Sequence, residues 1–291
     1  MPDEARPADA AAAPPRAPLS NFAQRVLTAL VGSAAVTALV WVGGWPFAVA
    51  IAGVGLQAQR EIYRLFAAAG TRPFVPLGLA LGAVAVLRPL LPQADALLAL
   101  GALAVLAGVL YRRPETPLLD AAATLFGVAY PAALCASLVA LRTDTGPWLD
   151  GAGHAPFWLT TAVLFCVWGT DSFAYFAGRA FGRTPLMPRV SPKKTWEGAV
   201  GGAVGAFALA AAFKALTPLD AVLTWLDVAA IALACGVASP FGDLAESHFK
   251  RSVAVKDSAT WLPGHGGMLD RIDAALVAVP LVVIYFEWVK G

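Results

Sequence analysis

Two pairs of acidic residues near the C-terminus have a spacing suited to metal chemistry. Asp243 and Glu246 are three residues apart, and Asp270 and Asp273 repeat that spacing. Residues three apart on a helix share a face, so each pair presents two carboxylates together. Four neighbouring carboxylates repel one another unless cations lie between them. Oxygen ligands of this kind suit Mg²⁺, which also binds substrate phosphate oxygens. The pairs therefore predict a magnesium site; the alternative is that nearby basic residues neutralise them as interfacial ion pairs.

The acidic pairs belong to a charged window, residues 242–273, between two long apolar segments. The window holds five acidic residues, four basic residues and two histidines, although the chain is 58% hydrophobic and only 14% charged. Charge beside a membrane is costly, so the window indicates a reaction or transport site. Its basic residues are Lys250, Arg251, Lys256 and Arg271.

A glycine-rich turn in the same window is a candidate phosphate site. The residues 263–267 read Pro-Gly-His-Gly-Gly and directly precede a predicted helix. Glycine lets backbone N–H groups approach a ligand, and a helix N-terminus favours an anion. His265 would donate to phosphate or cap the turn. An ordinary glycine turn is the alternative, and the neighbouring basic residues favour phosphate.

A second polar cluster lies upstream. Asp171 interrupts an apolar segment, where an acid is expensive enough to suggest function. Arg179 and Arg183 follow at helical spacing, and ligand binding and membrane anchoring explain them equally well.

A short basic segment follows this cluster. Residues 191–195 read Ser-Pro-Lys-Lys-Thr, which suits phosphate binding by Ser191, Lys193 and Lys194. Thr195 or Glu197 is expected to cap the next helix.

The elements that must position these residues are membrane helices. A mean hydropathy of +0.68 over 291 residues places the chain in the all-α, polytopic integral membrane class. Windows of about 20 apolar residues predict about nine spans. They lie near residues 24–43, 45–57, 74–91, 95–111, 119–141, 157–178, 198–216, 221–246 and 268–289.

The distribution of basic residues predicts the orientation. Nine crossings from a cytoplasmic N-terminus put 17 of the 21 basic residues on the cytoplasmic side, in agreement with the positive-inside rule. The other four are Arg88, Arg142, Lys214 and Lys290. The charged window then faces the cytoplasm.

The remaining segments are predicted to have structural roles or to be disordered. Residues 1–20 are Ala/Pro-rich and predict a disordered tail, and residues 21–291 form a single transmembrane catalytic domain whose motif-bearing half is 157–291. The glycine-rich segment 198–205 predicts close helix packing. Residues 59–64 are interpreted as an amphipathic interfacial segment without a catalytic part. The three cysteines are predicted to pack as small apolar side chains.

These residues together resemble the phosphatidate cytidylyltransferases, also called CDP-diacylglycerol synthases. The resemblance covers about 171–273 specifically, and segments 242–247 and 191–198 also look like the family. The matching C-terminal signature comprises Ser247, Phe249, Lys250, Arg251, Lys256, Asp257, Pro263, His265, Gly266, Gly267, Asp270, Arg271 and Asp273.

The resemblance implies an enzyme that joins CTP to phosphatidate, giving CDP-diacylglycerol and pyrophosphate. Asp243, Lys250, Asp270 and Asp273 are then the expected catalytic residues, and Mg²⁺ is the expected cofactor, bound by Asp243, Glu246, Asp270 and Asp273. The expected substrate-binding residues are Arg179, Ser191, Lys193, Lys194, Ser247, Arg251, Lys256, His265, Gly266, Gly267 and Arg271.

Two other functions stay open at this point. A related CTP-dependent lipid enzyme, such as a polyprenol kinase or an ether-lipid cytidylyltransferase, would differ in its acceptor. An ion-coupled transporter would bring inverted repeats and acids near mid-membrane, whereas these acids cluster at one face. The expected location is a bacterial inner membrane with a cytoplasmic active site; no nucleic-acid partner is expected, and a homodimer is left open.

Overall fold

The computed structural model describes residues 21–111, 116–143, 146–149, 153–255 and 267–290. The predicted tail 1–20 therefore lies outside the described residues, as do Lys256, Asp257, Pro263, His265 and Gly266. The described chain divides into two compact units, one ending at Ala38 and the other beginning at Leu39, and the second contains Asp243, Glu246, Asp270 and Asp273.

Helices make up nearly all of the described chain. The N-terminal half contains α1 (Asn21–Val42), α2 (Gly44–Ala68), α3 (Val75–Leu87), α4 (Ala94–Tyr111), α5 (Pro117–Gly127) and α6 (Leu134–Thr143). The C-terminal half contains α7 (Ala155–Phe181), α8 (Trp196–Leu216), α9 (Trp225–Leu233), α10 (Ser239–Ser252), α11 (Leu269–Ile272) and α12 (Ala275–Lys290). Single 3₁₀ turns occur at Arg88–Leu90, Pro147–Leu149 and Pro218–Ala221.

Among the described residues, five helical segments are long and apolar enough to cross a membrane. They are Ala94–Tyr111, Pro117–Thr143, Ala155–Phe181, Trp196–Leu216 and Trp225–Ser252. Large apolar side chains on them point outward; Leu100, Leu103 and Leu106 of α4 are each more than half exposed. An outer surface of this kind suits lipid, so the all-α integral membrane class is confirmed.

Two of the long segments contain a π-helical turn. Val128–Ala133, which includes Pro131, joins α5 to α6, and Ala234–Ala238 joins α9 to α10. The second turn leaves the Cys235 carbonyl available to side chains, and the Thr170 hydroxyl of α7 donates to it at 2.9 Å. A wide turn of this type is often found at functional sites.

The boundaries differ most from the predicted spans in three places. The predicted eighth span, 221–246, is Trp225–Ser252 in the structure. The predicted second span, 45–57, is the first half of α2, which continues to Ala68 because its apolar face continues through Ala58, Ile62 and Leu65. The predicted ninth span, 268–289, is interrupted at residues 273–274, where α11 ends and α12 begins.

The core of the C-terminal half is built around α7. Leu159, Val163 and Cys166 of α7 are buried in one cluster with residues of α6, α8, α9 and α12. Cys135, Cys166 and Cys235 are free and buried, as predicted.

Glycines allow α7 and α8 to approach closely. A methyl group at Gly202 would lie 3.0 Å from the Thr170 carbonyl oxygen, and one at Gly198 would lie 2.9 Å from that of Ala174. The predicted packing role of the glycine-rich segment is therefore confirmed.

A small hairpin joins α7 to α8. Strands β1 (Pro185–Met187) and β2 (Ser191–Thr195) are antiparallel, with Pro185 opposite Thr195 and Met187 opposite Ser191. The segment predicted as a basic loop is thus a strand. Thr195 caps α8 by accepting the Gly198 N–H at 3.1 Å, as predicted, and the Glu197 carboxylate accepts the N–H groups of Arg183 and Thr184. These contacts hold the hairpin at the start of α8.

Candidate active site

Helix α10 carries the first acidic pair together with a lysine. Asp243, Glu246 and Lys250 follow one another at spacings of three and four residues, which places them on one face. Glu246 and Lys250 are buried, with 1% and 8% of their surfaces exposed. Lys250 Nζ lies 3.2 Å from Glu246 Oε1, although the direction of approach does not make a hydrogen bond, and Oε1 has no such partner among the described residues.

The second acidic pair reaches the same place from α11. Asp270 forms a short ion pair with Lys250 and accepts the Gly267 N–H at 2.9 Å. Asp273 lies in the turn that follows, 7% exposed, and accepts the Ala274 N–H at 2.6 Å. Gly242 permits this arrangement, because a methyl group there would collide with the Asp273 carbonyl. The predicted proximity of the two helix ends is present in the structure.

The β2 strand and α7 supply further groups. Lys194 Nζ lies 2.5 Å from Asp243 Oδ2, and the Ser247 hydroxyl donates to Asp243 Oδ1 at 3.2 Å. Asp171 lies close enough to interact electrostatically with both Lys194 and Asp243. The hairpin and the interrupted apolar helix therefore meet at the same cluster.

Acidic groups outnumber the lysines in this cluster. Among the described residues two lysines, Lys194 and Lys250, form ion pairs with it, whereas five carboxylates converge on it. The acids are Asp171, Asp243, Glu246, Asp270 and Asp273. Glu246 and Asp273 are buried, Asp243 and Asp270 are half-buried and Asp171 is exposed. Negative charge concentrated in this way is unfavourable unless further cations join it.

The two acids of the second pair have shifted pKa values of opposite sign. Burial raises the pKa of Asp273 to about 7, and the nearby Asp243 carboxylate adds to the effect. Burial also disfavours ionised Asp270, but the hydrogen bonds from Lys250 and the Gly267 N–H outweigh it and lower the pKa of that carboxyl. Asp270 is thus a carboxylate at neutral pH, while full ionisation of Asp273 calls for another positive charge nearby.

The donor set fits a hard divalent cation in its chemistry. Its oxygen ligands among the described residues are carboxylates that outnumber the lysines, and Glu246 Oε1 is buried without a hydrogen bond from any described residue. As the described side chains stand, no three of the Asp, Glu, His and Cys groups converge closely enough to hold one ion. Because Lys194 and Lys250 occupy the carboxylates, binding of a cation requires these lysines to move.

The other predicted site residues are more peripheral. Ser191 is half-buried at the start of β2, while Lys193, Arg251 and Arg271 are exposed. Arg179 is also exposed and contacts the Tyr175 hydroxyl at 3.4 Å. Gly267 is buried and its N–H is engaged by Asp270. Lys256, His265 and Gly266 lie outside the described residues.

Residues 59–64, predicted to be amphipathic and without a catalytic part, do have two faces: Arg60 and Arg64 are exposed, whereas Glu61 and Ile62 are buried. The contact that the sequence did not reveal is that of Glu61, which is fully buried and whose carboxylate accepts the N–H groups of Met268 and Leu269 at 2.9 and 3.0 Å. A signal was available in the sequence: Glu61 falls on the apolar face of α2, together with Ala58, Ile62 and Leu65.

Tyr130 is a second residue that sequence reasoning missed. It lies in the π turn between α5 and α6, within electrostatic range of Glu246 and Asp273. Its hydroxyl is buried without a hydrogen-bond partner among the described residues, and its ring packs edge-on against Phe249 of α10. Nothing in the local sequence distinguishes it from other aromatic residues of an apolar segment.

The fold and the cluster define a helical membrane protein with a carboxylate and lysine site suited to phosphate chemistry. The model of the cytidylyltransferase family matches residues 23–289, so the chain belongs to that family.

Individual relatives support the same family assignment. The phosphatidate cytidylyltransferase of Brucella abortus is 38% identical over 269 residues, which is 92% of this chain and 94% of the relative. That of Haemophilus influenzae is 42% identical over 151 residues, 48% of this chain and 51% of the relative. Phosphatidate cytidylyltransferase 5, chloroplastic, of Arabidopsis thaliana is 35% identical over 283 residues, 88% of this chain and 69% of the relative.

Proposed function

We propose that the protein transfers the cytidylyl group of CTP to phosphatidate, giving CDP-diacylglycerol and pyrophosphate for phospholipid synthesis. The observation that carries this proposal is the partly buried cluster of carboxylates and lysines where α7, β2, α10 and α11 meet, in a chain of the cytidylyltransferase family. A site at a membrane surface is reached both by a soluble nucleotide and by a lipid phosphate.

The reaction needs charge stabilisation more than proton transfer. A phosphatidate oxygen forms a bond to the α-phosphorus of CTP, and the bond from that phosphorus to the α,β-bridging oxygen breaks as pyrophosphate leaves. The attacking phosphate is already anionic near neutral pH, so no strong general base is required. Two polyanions must nevertheless meet, and positive charge must be concentrated between them.

Asp243, Asp270 and Asp273, with Glu246 as a further ligand, would hold Mg²⁺. Bound Mg²⁺ supplies charge neutralisation to the phosphate oxygens of both substrates. Glu246 Oε1 would join them once Lys250 moves away, because it is buried and accepts no hydrogen bond from the described residues. When the carboxylates turn to a cation, Lys194 and Lys250 become available to phosphate oxygens.

The nucleotide and the lipid would be bound by different parts of the site. We assign the CTP phosphates to Lys250, Arg251, Lys256, His265, Gly266 and Gly267, with Ser247 and Arg271 beside them. We assign the lipid phosphate to the α7 end and the hairpin, where Arg179, Ser191, Lys193 and Lys194 lie. The exposure of Arg179 and Lys193 suits contact with an incoming headgroup.

The proposed topology has nine spans, a cytoplasmic N-terminus and a site on the cytoplasmic face of a bacterial inner membrane. In support, α8 begins beside the Lys194–Asp243 pair and ends near Lys214, and α12 begins after Asp273 and ends at Lys290. Helices of 21 and 16 residues rise roughly 30 and 24 Å, so these two lysines lie at the far ends from the site. A homodimer is compatible with this arrangement.

The test is a purified-protein assay of pyrophosphate release from CTP, with and without phosphatidate and Mg²⁺. Labelled CTP distinguishes formation of a CDP-lipid from lipid phosphorylation with CDP release, which a lipid kinase would give. Asp270→Asn keeps the shape of the side chain and its acceptor for the Gly267 N–H. We expect it to abolish turnover while the thermal unfolding transition is retained, and wild-type activity in this variant would refute the metal assignment.

A further inference from the structure

The buried carboxylate of Glu61 links the N-terminal half of the chain to the site. Its Oε1 accepts the Met268 N–H at 2.9 Å and its Oε2 accepts the Leu269 N–H at 3.0 Å. The bonds connect residues more than 200 positions apart, and the Glu61 side chain is completely buried. Both carboxylate oxygens are therefore used to hold the start of α11.

α11 needs such a partner. It has four residues, Leu269–Ile272, and a single helical turn does not form stably on its own because its nucleation is unfavourable. The first N–H groups of any helix lack partners within the helix. A carboxylate at that end supplies acceptors and a charge that complements the helix dipole, and charge-assisted bonds are stronger than neutral ones.

The residues on α11 are those on which the site depends. Asp270 lies one residue after Leu269 and forms the ion pair with Lys250, and Asp273 directly follows the helix. A shift of α11 would move both carboxylates relative to α10. Such a shift would alter the cluster without removing any of its members.

We propose that Glu61 is a positioning residue that anchors α11 to α2 and so sets the distance between the carboxylates of α11 and those of α10. The kinetic part of this inference depends on the proposed function, whereas the structural part does not.

The experiment compares three Glu61 variants with a matched control on the same helix. Glu61→Gln keeps the size and one acceptor but loses the charge, Glu61→Asp shortens the reach, and Glu61→Ala removes both acceptors. The control is Gln59→Leu, since Gln59 is equally buried on α2 but bonds to Tyr63 and the Gly78 carbonyl, away from α11. A general loss of stability should occur in the variants of both residues, whereas a loss of α11 positioning should occur only in the Glu61 variants.

The first readout is amide hydrogen exchange of a peptide covering residues 267–272, in detergent or nanodiscs. We expect exchange to be at least about tenfold faster in Glu61→Ala, intermediate in Glu61→Gln and unchanged in Gln59→Leu, because exchange follows local opening. Unchanged exchange in all Glu61 variants, or equal acceleration in Gln59→Leu, would overturn the inference.

The second readout is kinetic. Loss of a residue that orients metal ligands typically reduces metal affinity or activity by about 10- to 100-fold, so we expect the half-saturating Mg²⁺ concentration to rise in Glu61→Ala and Glu61→Gln but not in Gln59→Leu. Faster exchange with wild-type Mg²⁺ dependence and turnover would show that the anchor does not position the site. If the wild-type protein lacks cytidylyl transfer altogether, the proposed function fails, and hydrogen exchange still decides whether Glu61 anchors α11.

Discussion

Replacement of Gly242 by alanine should damage the site without touching any charged group. A methyl group at position 242 would lie against the Asp273 carbonyl, 2.8 Å from its carbon atom and 3.2 Å from Val277 Cγ2. Ordinary contacts between carbon and oxygen are about 3.3 Å or longer, and the methyl carbon would lie roughly 1 Å inside that limit from the Asp273 carbonyl oxygen. The start of α10 and the 273–274 turn must therefore separate by roughly 1 Å, because both atoms of the clash on the Asp273 side belong to the backbone.

The magnitude follows from this displacement. Overpacking of this kind costs about 1–3 kcal/mol of stability. A misplacement of about 1 Å in a reacting constellation reduces the rate by about a hundredfold. We therefore expect Gly242→Ala to unfold at a moderately lower temperature and to release pyrophosphate about a hundredfold more slowly, with a raised requirement for Mg²⁺.

Gly53→Ala is the matched control. Gly53 lies in α2, and a methyl group there meets no atom within 4 Å. Alanine in an open helical position stabilises by about 0.5–1 kcal/mol relative to glycine. Pyrophosphate release at saturating CTP and phosphatidate, measured beside thermal unfolding in detergent, tests both variants. If Gly242→Ala keeps the rate and stability of Gly53→Ala, the close approach of α10 to Asp273 is not required.

Two further predictions concern pH and the opposite end of the protein. Because the folded-state pKa of Asp273, about 7, lies above the usual 3.8, the folded protein holds a proton that the unfolded chain releases between these values, and stability decreases as the pH rises from about 4 to 7. In the presence of a chelator, the unfolding temperature should therefore fall less between pH 5 and 8 in Asp273→Asn than in wild type. Equal pH dependence of the unfolding temperature in the two proteins would contradict the raised pKa of Asp273. Tyr285 donates to buried Asp227 at 2.8 Å, so Tyr285→Phe should cost about 1.5–3 kcal/mol while cytidylyl transfer stays at the wild-type rate, and a loss of activity without destabilisation would show that this end contributes to the reaction.

The contacts of Asp227 explain why Tyr285→Phe should leave the site intact. Asp227 remains paired with Lys290 at 2.9 Å and with the Thr224 N–H at 2.7 Å after the tyrosine hydroxyl is removed. Tyr285 is 12 residues after Asp273, which corresponds to roughly 18 Å of helix rise. Helix α12 separates Tyr285 from the carboxylates, so a local loss of packing at Tyr285 should not displace them.

Much of the site was accessible from sequence because its residues are chemically conspicuous. Asp243, Glu246, Asp270 and Asp273 stand out in an apolar chain, and their spacing along two helix ends is a local property. Thr195 as a helix cap and the glycines of 198–205 as packing positions were predicted for the same reason. Each depends on residues within a few positions of one another, which helical geometry relates directly.

The partners of those residues were not accessible in this way. That Lys194 pairs with Asp243, that Lys250 bridges Glu246 and Asp270, and that Tyr130 faces the cluster all depend on contacts between distant segments. The predicted end of α2 was too early because mean hydropathy falls at charged residues, even when one of them, here Glu61, is buried against another helix.

Sequence by itself determined the membrane class, the acidic pairs and the family, since hydropathy, spacing and motifs are written along the chain. Only the tertiary structure shows that Glu61 of α2 binds the start of α11. A glutamate two turns from the end of an apolar helix has the same local pattern whether it faces the membrane surface or binds a distant helix. Its role is set by the two backbone N–H groups that folding brings to it, because buried donors and acceptors must find each other wherever they lie in the chain.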